Sequence, residues 1–426
     1  MSRAANLRPE IDAALPRDQY IPLRPADLVR KLEDEPQVTI FEREQFRRFS
    51  QLVEATIHHE YRSRLEEIKA AYAPFDPDDD AAIQYSLTDP ERAARCRELF
   101  DDFDALLMRA NYRRLSRDEI EQAMQSPTAT GLKLQLDLDL FERLEVYARG
   151  PCELSRQRKS WRTWWRDEDL AVPAYRRLAI IFRLRQRSPL TDPLDTRAVV
   201  LKLFKDIPRE DIETLLPGAN IHIGLVEQAQ IVVPTLSGVG LTLFKLLKGA
   251  AALASAGIYG LIAFLGLISG AIGYGVRSFY SYLRTREKHQ LCLTRHLYFQ
   301  NLDNNAGVIY HLLAEAEAQE FREMALAWWL LWRGGLSGAT AEQIDGAAEN
   351  WLRERCGIEV DFEVSDALAK LGRHGLAHES SGGRWRSVTV EQALETLDRA
   401  WDEQFDYHRP VETEGNSPSE KPRRAA

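Results

Sequence analysis

An apolar stretch in the middle of the chain constrains the fold more than any other feature. Residues 231–244 and 249–276 carry no charged side chain, so Lys245 and Lys248 are the only charges in these 46 residues. At about 1.5 Å of rise per residue, the second part alone would form a helix of about 42 Å, longer than the ~30 Å hydrocarbon core of a bilayer. The sequence therefore predicts a membrane segment at 231–276.

The segment is long enough for two spans joined by a turn near residues 245–257. Five basic residues and one acid follow it between Arg277 and Arg295, which favours a cytoplasmic location for that flank. A hairpin would keep both hydrophilic parts in the cytoplasm, at the cytoplasmic membrane if the source is bacterial. We expect this hairpin, but a single span stays open because Lys245 and Lys248 at the turn oppose the positive-inside rule.

Glycine recurs through the predicted spans together with alanine and serine. Small residues let membrane helices approach closely, so they would pack the hairpin or join two copies of the chain. The expected partners are therefore the lipid bilayer and a second copy. A pore built from such hairpins is disfavoured because the spans offer no polar lining.

Outside this segment the composition is that of a hydrophilic protein. The formal net charge is −9 and the mean hydropathy is −0.38, so the whole chain has no electrostatic footprint for nucleic acid. The first residues have no apolar run after their basic residues, and a cleaved secretory signal is not expected. Nucleophile-elbow, P-loop and Rossmann motifs and a credible metal-ligand set are missing from the sequence, so no catalytic, metal or cofactor residue is predicted.

The fold class expected from the periodicity is α+β. After an N-terminal segment (1–40), a cytoplasmic domain (41–228) begins with a helix from Phe46 to Tyr72 and a second from Asp89 to about Asn111; a capping box at Ser116–Glu119 starts a third. Alternating apolar residues then predict strands at Leu132–Leu140, Leu178–Leu184, Val199–Phe204 and Ile221–Leu225. These strands would form a small, mostly antiparallel sheet with helices on one face.

The C-terminal domain (297–406) begins with a helix from about Asn305 to Trp332. It continues as helix, helix, hairpin and helix, with a Ser-Gly-Gly turn that resembles the wing of a winged-helix module. Residues 336–406 hold 7 Lys/Arg against 15 Asp/Glu, which would repel nucleic-acid phosphates. A protein partner is therefore expected here, and no nucleic acid. The tail (407–426) is expected to be disordered.

Three groups of polar residues are candidate sites. The first is a tryptophan- and arginine-rich stretch that could enter lipid headgroups, stack nucleic-acid bases or cover the domain's own core: Arg158, Lys159, Trp161, Arg162, Trp164 and Trp165. The second could form a polar site or a salt-bridge network: Lys202, Lys205, Asp206, Arg209 and Asp211. The third follows one helix face at four-residue spacing: His311, Glu315, Gln319 and Glu323. It is interpreted as a solvated or domain-docking stripe, since a metal would need ligands from further helices.

Several strings resemble the transmembrane protein 143 family: ANYRRLS at 110–116, VYARG at 146–150, YRRLAIIFRLR at 175–185, LKLFKDIPREDIETLLPG at 201–218, VPTLSG at 233–238 and NAGVIYHLLAEAEAQEFREMAL at 305–326. The resemblance covers roughly residues 20–400. It implies a membrane protein, commonly drawn with two spans and associated with mitochondria in animals, and no established catalytic residue. The insert at 156–166 departs from the family pattern.

Together these observations favour a membrane-anchored interaction or scaffold protein at the cytoplasmic face of a membrane. The alternative is a membrane-bound lipid-active enzyme or a protein that binds anionic headgroups.

Overall fold

The computed structural model describes residues 17–78, 87–125, 133–135, 138–159, 167–185, 197–217, 220–222, 299–380 and 382–404, together with residues 269, 273 and 280. Within these ranges the helices are α1 (Pro25–Glu33), α2 (Ile40–Tyr72), α3 (Asp89–Arg109), α4 (Arg117–Gln125), α5 (Ala306–Gly334), α6 (Ala341–Cys356), α7 (Val364–Arg373) and α8 (Val390–Gln404). The strands are β1 (Arg113–Arg114), β2 (Lys133–Gln135), β3 (Phe141–Lys159), β4 (Asp167–Leu184), β5 (Val199–Pro208), β6 (Asn220–His222), β7 (Asn301–Asn304), β8 (Ala377–Glu379) and β9 (Trp385–Ser387).

The chain divides into two compact units, each built from two segments. Unit 1 comprises residues 1–20 and 63–316, and unit 2 comprises residues 21–62 and 317–426. This division differs from the continuous domains expected from the sequence, because residues 21–62 group with the C-terminal part of the chain. Helices α2 and α5 each contribute residues to both units.

Unit 1 is built on a five-stranded sheet in the order β1-β3-β4-β5-β7, in which all neighbours are antiparallel. This confirms the antiparallel sheet expected from the alternating pattern. Successive side chains of a strand point to opposite faces. One face packs around Leu178, Ile180, Phe182 and Phe204, in a core that Ile120 of α4 completes.

The other face of the sheet carries further helices. Tyr147 of β3 donates a hydrogen bond to Asp104 of α3 at 2.7 Å, and Tyr72 at the end of α2 donates one to the carbonyl of Val199 at 2.9 Å. Helices therefore lie on both faces, and the expectation of helices on one face is wrong. Helix α4 covers the first face, where its apolar Ile120 packs with Leu178, Ile180 and Phe182.

Unit 2 confirms the order of helix, helix, hairpin and helix in α6, α7, β8–β9 and α8. Thr340 caps α6, since its side chain accepts a hydrogen bond from the backbone of Gln343. An aromatic cluster joins α2 to α5, with the rings of Phe49 and Trp328 stacked at 3.8 Å and Phe46 against Trp329 at 4.5 Å.

The helix predictions from Phe46, Asp89, Ser116 and Asn305 are confirmed as α2 to α5. The capping box is present, with Ser116 and Glu119 bonded through both reciprocal contacts. The strand prediction at Leu132–Leu140 is wrong over its second half, because Leu138–Leu140 forms a 3-10 turn that precedes β3. The alternation there reflects leucines that pack on the core edge from a turn, and β3 itself was missed.

No helix in the described ranges combines the length and the apolarity needed to cross a bilayer. Of the predicted hairpin at 231–276, the structure describes residues 269 and 273 as helical, and the rest lies outside the described residues. The hairpin therefore stays a prediction.

Candidate functional site

Three basic residues lie side by side across the centre of the unit 1 sheet. Arg149 of β3 is the cross-strand partner of Arg177 on β4, and Arg177 is the partner of Lys205 on β5. Directly opposed residues place their Cβ atoms about 5 Å apart on the same face, where like charges destabilise the sheet. We call these three residues the cation row, and its presence requires compensating anions.

Arg149 is held rigidly at one end of the row. Its guanidinium donates to the carbonyl of Ala110 at 3.0 Å and to Oε1 of Glu315 at 2.8 Å. Its central carbon lies 3.7 Å from the ring centre of Tyr20 and 4.5 Å from that of Tyr112. Cation–π contacts of this kind stabilise a desolvated guanidinium. The role of Arg149 is therefore to position its neighbours, because its guanidinium is already occupied by these contacts.

Glu315 of α5 is the carboxylate that faces the row. It accepts hydrogen bonds from Arg149 and, at 2.9 Å, from the hydroxyl of Tyr112, and it lies 3.5 Å from Nε of Arg177. Burial by itself would raise the pKa of Glu315, but the hydrogen bond with His311 and the charge of Arg149 outweigh it and lower the pKa to about 2. Glu315 is therefore ionised at neutral pH.

His311, one turn before Glu315, lies between two carboxylates. Its Nδ1 is 2.8 Å from Oδ2 of Asp303 on β7, and its Nε2 is 3.6 Å from Oε1 of Glu315. The hydrogen bond with Glu315, together with Asp303, raises the pKa of His311 against the opposing effect of burial. The two flanking carboxylates stabilise the protonated imidazolium form of His311.

Arg177 and Lys205 form the accessible part of the row. The Arg177 side chain is 31% exposed and Lys205 is half-buried. Arg177 donates from Nη1 to the carbonyl of Arg176 at 3.0 Å, but its buried Nε has no hydrogen-bond partner among the described residues. A buried donor without an acceptor costs free energy, and Oε1 of Glu315, at 3.5 Å, compensates the charge of this group without a hydrogen bond.

A glycine in the left-handed conformation within β3, next to Arg149, helps to place the row. Gly150 has a φ of +67°, and a Cβ atom there would come within 2.9 Å of Cβ of Arg176 and 3.1 Å of Oδ2 of Asp18. Only glycine adopts this conformation without strain and leaves this space. Burial raises the pKa of Asp18, although backbone hydrogen bonds and the charges of Arg149 and Arg176 oppose it.

The polar motif predicted around β5 does not form one cluster. Lys205 joins the cation row. Lys202 is the partner of Ile180, a residue of the opposite core, and so lies on the other face of the sheet with Phe204. The odd separation of the two lysines along one strand sends them to different faces.

The remaining motif residues lie beyond the row. Asp206 is exposed in a left-handed conformation with φ of +53°, and its carbonyl accepts a hydrogen bond from Gln300. The guanidinium of Arg209 lies 4.9 Å from the ring centre of Tyr175, and Asp211 sits in the 3-10 turn Arg209–Leu215. Asp206 therefore lies near the end of β5, and Arg209 and Asp211 lie in the turn that follows the strand.

The predicted helix face also divides. His311 and Glu315 belong to the site in unit 1. Gln319 and Glu323 are buried in unit 2, where the amide of Gln319 donates to Glu323 at 2.7 Å and Glu323 accepts from Lys370 at 3.1 Å. Of the two interpretations of the stripe, solvated or domain-docking, burial excludes the solvated one for these two residues, and ion pairs and hydrogen bonds compensate their burial.

Of the predicted headgroup contacts, Trp161, Arg162, Trp164 and Trp165 lie outside the described residues. Arg158 and Lys159 end β3, opposite Glu168 and Asp167 of β4. Headgroup contact by this stretch stays a prediction.

Sequence reasoning missed Tyr112, Arg149 and Arg177 as site residues. Each lies in one of the strings that carry the family resemblance, ANYRRLS, VYARG and YRRLAIIFRLR, and Lys205 and His311 lie in two more. A comparison of the polar residues in those strings would have selected these residues. Periodicity would not have selected them, because it does not indicate which strands pair.

A second polar cluster is buried in unit 2. Lys370 of α7 is 3% exposed and lies 2.6 Å from Asp366, 3.1 Å from Glu323 and 3.7 Å from Glu320. Tyr61 donates to Glu320 at 2.8 Å. The cluster ties α7 to α5 and α2 through these contacts, and burial raises the pKa of Glu323 against the opposing effect of Lys370.

A groove of about 750 Å³ lies in unit 1, lined by β1, α4 and the start of β3. Its arginines are paired with carboxylates: Arg113 with Glu119 at 2.8 Å and Arg114 with Glu145 at 3.0 Å. The groove therefore lacks the excess charge of the cation row.

Comparison with known proteins adds a family but no activity. No solved structure matches this chain. Residues 175–307 match the family described as "Protein of unknown function (DUF3754)". The matched region includes Arg177 and Lys205 and ends just before His311. This part of the chain is a domain of that family.

Proposed function

We propose that this protein is a membrane-anchored protein that holds an anionic, phosphate-bearing group at the cation row of unit 1. The main observation behind this proposal is that Arg149, Arg177 and Lys205 form one cross-strand row. Among the described residues, Glu315 is the carboxylate that contacts Arg149 and Arg177. The charge in the row exceeds what Glu315 compensates, and the excess lies at Arg177 and Lys205. This favours the headgroup-binding alternative of the sequence analysis.

The chemistry of the exposed groups suits phosphate. An arginine presents several N–H donors in a planar fork that matches phosphate oxygens, and a lysine adds a compact point charge. The buried Nε of Arg177 lacks a hydrogen-bond acceptor among the described residues. A phosphate oxygen would accept from the exposed part of the Arg177 guanidinium and reduce the repulsion between Arg177 and Lys205.

For a membrane-anchored chain, the pairing of β5 with β7 favours two spans over one. Leu203 lies opposite Asp303 in this pair, and the apolar segment 231–276 lies between the two strands in the sequence. Paired strands are about 4.8 Å apart, whereas one span would separate its flanks by ~30 Å of hydrocarbon. An even number of crossings keeps both flanks on one side. The two spans commonly drawn for the transmembrane protein 143 family agree with this.

A second candidate function is a scaffold role for the C-terminal domain. The order of α6, α7, β8–β9 and α8 fits a winged-helix-like module. The excess of eight acidic over basic residues in 336–406 favours a basic protein partner over nucleic acid. This role and the anion site are compatible within one membrane-anchored protein.

The test uses the full chain in detergent micelles and inorganic phosphate as the probe. We expect the thermal unfolding midpoint to rise with phosphate concentration at constant ionic strength. Arg177→Gln and Lys205→Gln should each weaken phosphate binding at least about ten-fold, since a hydrogen bond to a charged group contributes about 1.5–3 kcal/mol.

Arg183→Gln is the matched control. Arg183 lies on the same strand as Arg177 and pairs with Glu142 at 3.4 Å, outside the row. The control should bind phosphate like the unmodified chain. An unmodified chain whose midpoint does not respond to phosphate, or an equal response in all variants, would contradict the proposal.

A further inference from the structure

The charged groups linked by contact at the site do not balance. Arg149, Arg177 and Lys205 form the row on β3, β4 and β5, and Glu315 faces it from α5. His311 of α5 and Asp303 of β7 complete the chain of contacts. Among the described residues, the three basic side chains and the protonated form of His311 face two carboxylates, which leaves two positive charges in excess.

The neighbouring groups leave this excess unchanged. Asp18 and Arg176 interact with each other beside Gly150 and add one charge of each sign. Tyr112 stays neutral, because burial raises its pKa. Asp206 follows Lys205 but is exposed, where water screens its charge.

We infer that the site takes a phosphate monoester, whose terminal phosphate carries up to two negative charges, in preference to a phosphodiester. This inference rests on the proposed function and names the class of its ligand. A monoester dianion neutralises the excess of two charges, whereas a diester carries one charge and leaves one cation uncompensated. The terminal phosphate also offers three unesterified oxygens to the donors of Arg177 and Lys205, and a diester offers two.

The accessible edge of the site can accommodate such a group without rearrangement of Arg149. Arg149 is 4% exposed and is fixed by Ala110, Glu315 and two aromatic rings. It therefore contributes positive electrostatic potential to the site but does not touch the ligand. Arg177, at 31% exposure, and the half-buried Lys205 can both reach a ligand that approaches from solvent. The shared chemistry is a terminal phosphate, borne either by a lipid headgroup or by a soluble metabolite.

The experiment compares methyl phosphate with dimethyl phosphate on the full chain by isothermal titration calorimetry. The two esters differ by one methyl group and by one charge at neutral pH. At pH 7 we expect methyl phosphate to bind about ten-fold more tightly, since one further charge-assisted contact is worth about that factor. At pH 5 the preference should shrink to about two-fold, because the second pKa of the monoester is about 6.

Two variants and one control sharpen the result. Lys205→Gln and His311→Gln each remove one positive charge and should reduce the preference for methyl phosphate at pH 7, while Arg183→Gln should retain it. Equal affinity for both esters at pH 7 would overturn the monoester assignment and leave anion binding intact. Binding of neither ester would overturn the proposed function as well.

Titrations with two short-chain phospholipids identify the source of the phosphate. Monomeric dihexanoyl phosphatidic acid has a terminal phosphate, and dihexanoyl phosphatidylglycerol has a diester of similar hydrophobicity. Tighter binding of the phosphatidic acid than of methyl phosphate would support a lipid monoester, and equal binding of the two would support a soluble one. Preference for the phosphatidylglycerol would contradict the inference.

Discussion

Arg149 of strand β3 donates a hydrogen bond from Nη2 to Oε1 of Glu315 on helix α5, at 2.8 Å, across 166 residues of sequence. The two side chains are 4% and 11% exposed. A buried charge pair of this kind contributes little net stability when intact but is costly to break, because the remaining charge has no compensation. The pair therefore makes the fold of unit 1 sensitive to changes at either residue.

The first prediction concerns Glu315→Gln. The substitution leaves the Arg149 guanidinium buried without its counterion, and we expect a loss of about 3 kcal/mol in unfolding free energy at pH 7. Urea denaturation of the full chain measures this loss. Glu121→Gln, which removes an exposed pair with Arg117 on α4, should cost at most about 0.5 kcal/mol. Equal effects of the two substitutions would argue against a special role for Glu315.

The second prediction concerns acid stability. The pKa of Glu315 falls from its ordinary 4.5 to about 2 in the folded protein. A depressed folded pKa gives stability that is present above 4.5 and is lost as the pH falls toward 2, here about 3 kcal/mol. Urea midpoints measured between pH 6 and pH 2 should show this loss in the unmodified chain. Glu315→Gln should lack this component, and an identical pH slope in both proteins would refute the assignment.

The third prediction is a contrast between two glycines. Gly150→Ala introduces a Cβ atom at φ +67° and within 2.9 Å of Arg176, and it should destabilise the protein by about 1–3 kcal/mol. It should also weaken phosphate binding, because Arg149 is the adjacent residue. Gly346→Ala in α6 meets nothing within 4 Å and should stabilise by up to about 1 kcal/mol. Thermal unfolding of both variants checks the opposite signs.

The fourth prediction concerns the buried cluster of unit 2. Lys370→Met leaves Glu320 and Glu323, each 2% exposed, without their principal cation, and it should cost about 3–5 kcal/mol. A second change, Glu323→Gln, should recover part of this loss in the Lys370→Met background. Arg373→Gln is the control, since Arg373 is 56% exposed and 3.8 Å from Glu320, and it should cost less than about 1 kcal/mol. Urea denaturation distinguishes these outcomes.

The fifth prediction concerns membrane topology. Single cysteines replace Asp118 in α4, Ala252 at the predicted turn and Gln300 after the apolar segment, in a chain without its four native cysteines. Two spans place Asp118 and Gln300 on one side of the membrane and Ala252 on the other. Labelling with a membrane-impermeant maleimide reads the sides. Labelling of Ala252 and Gln300 from the same side would refute the hairpin.

Local pattern accounts for much of the secondary structure. The apolar spacing of three and four residues from Phe46 to Tyr72 is confirmed as α2, and the order of elements after Thr340 is confirmed as well. The same reasoning failed at Leu138–Leu140, where alternation accompanies a 3-10 turn and not a strand. Leucines at every second position show which side chains are apolar, but they do not prove that the backbone is a strand. A turn at the edge of a core can bury the same leucines.

The candidate site was only partly visible in the sequence. His311 and Glu315 were selected by their four-residue spacing, because helix geometry is local. Lys205 was selected together with Lys202, Asp206, Arg209 and Asp211. Those four residues lie away from the cation row in the structure. Arg149 and Arg177 carry no local signal, since an arginine in a strand reveals nothing of the residue opposite it.

The sequence by itself determined the helices, the acidic charge of the C-terminal region and the apolar segment at 231–276, because each depends on residues close together in the chain. Only the tertiary structure decided that Arg149, Arg177, Lys205 and Glu315 meet. Strand register brings the three cations together, and the docking of α5 supplies the carboxylate. Both depend on packing between segments up to 166 residues apart, which no local period encodes.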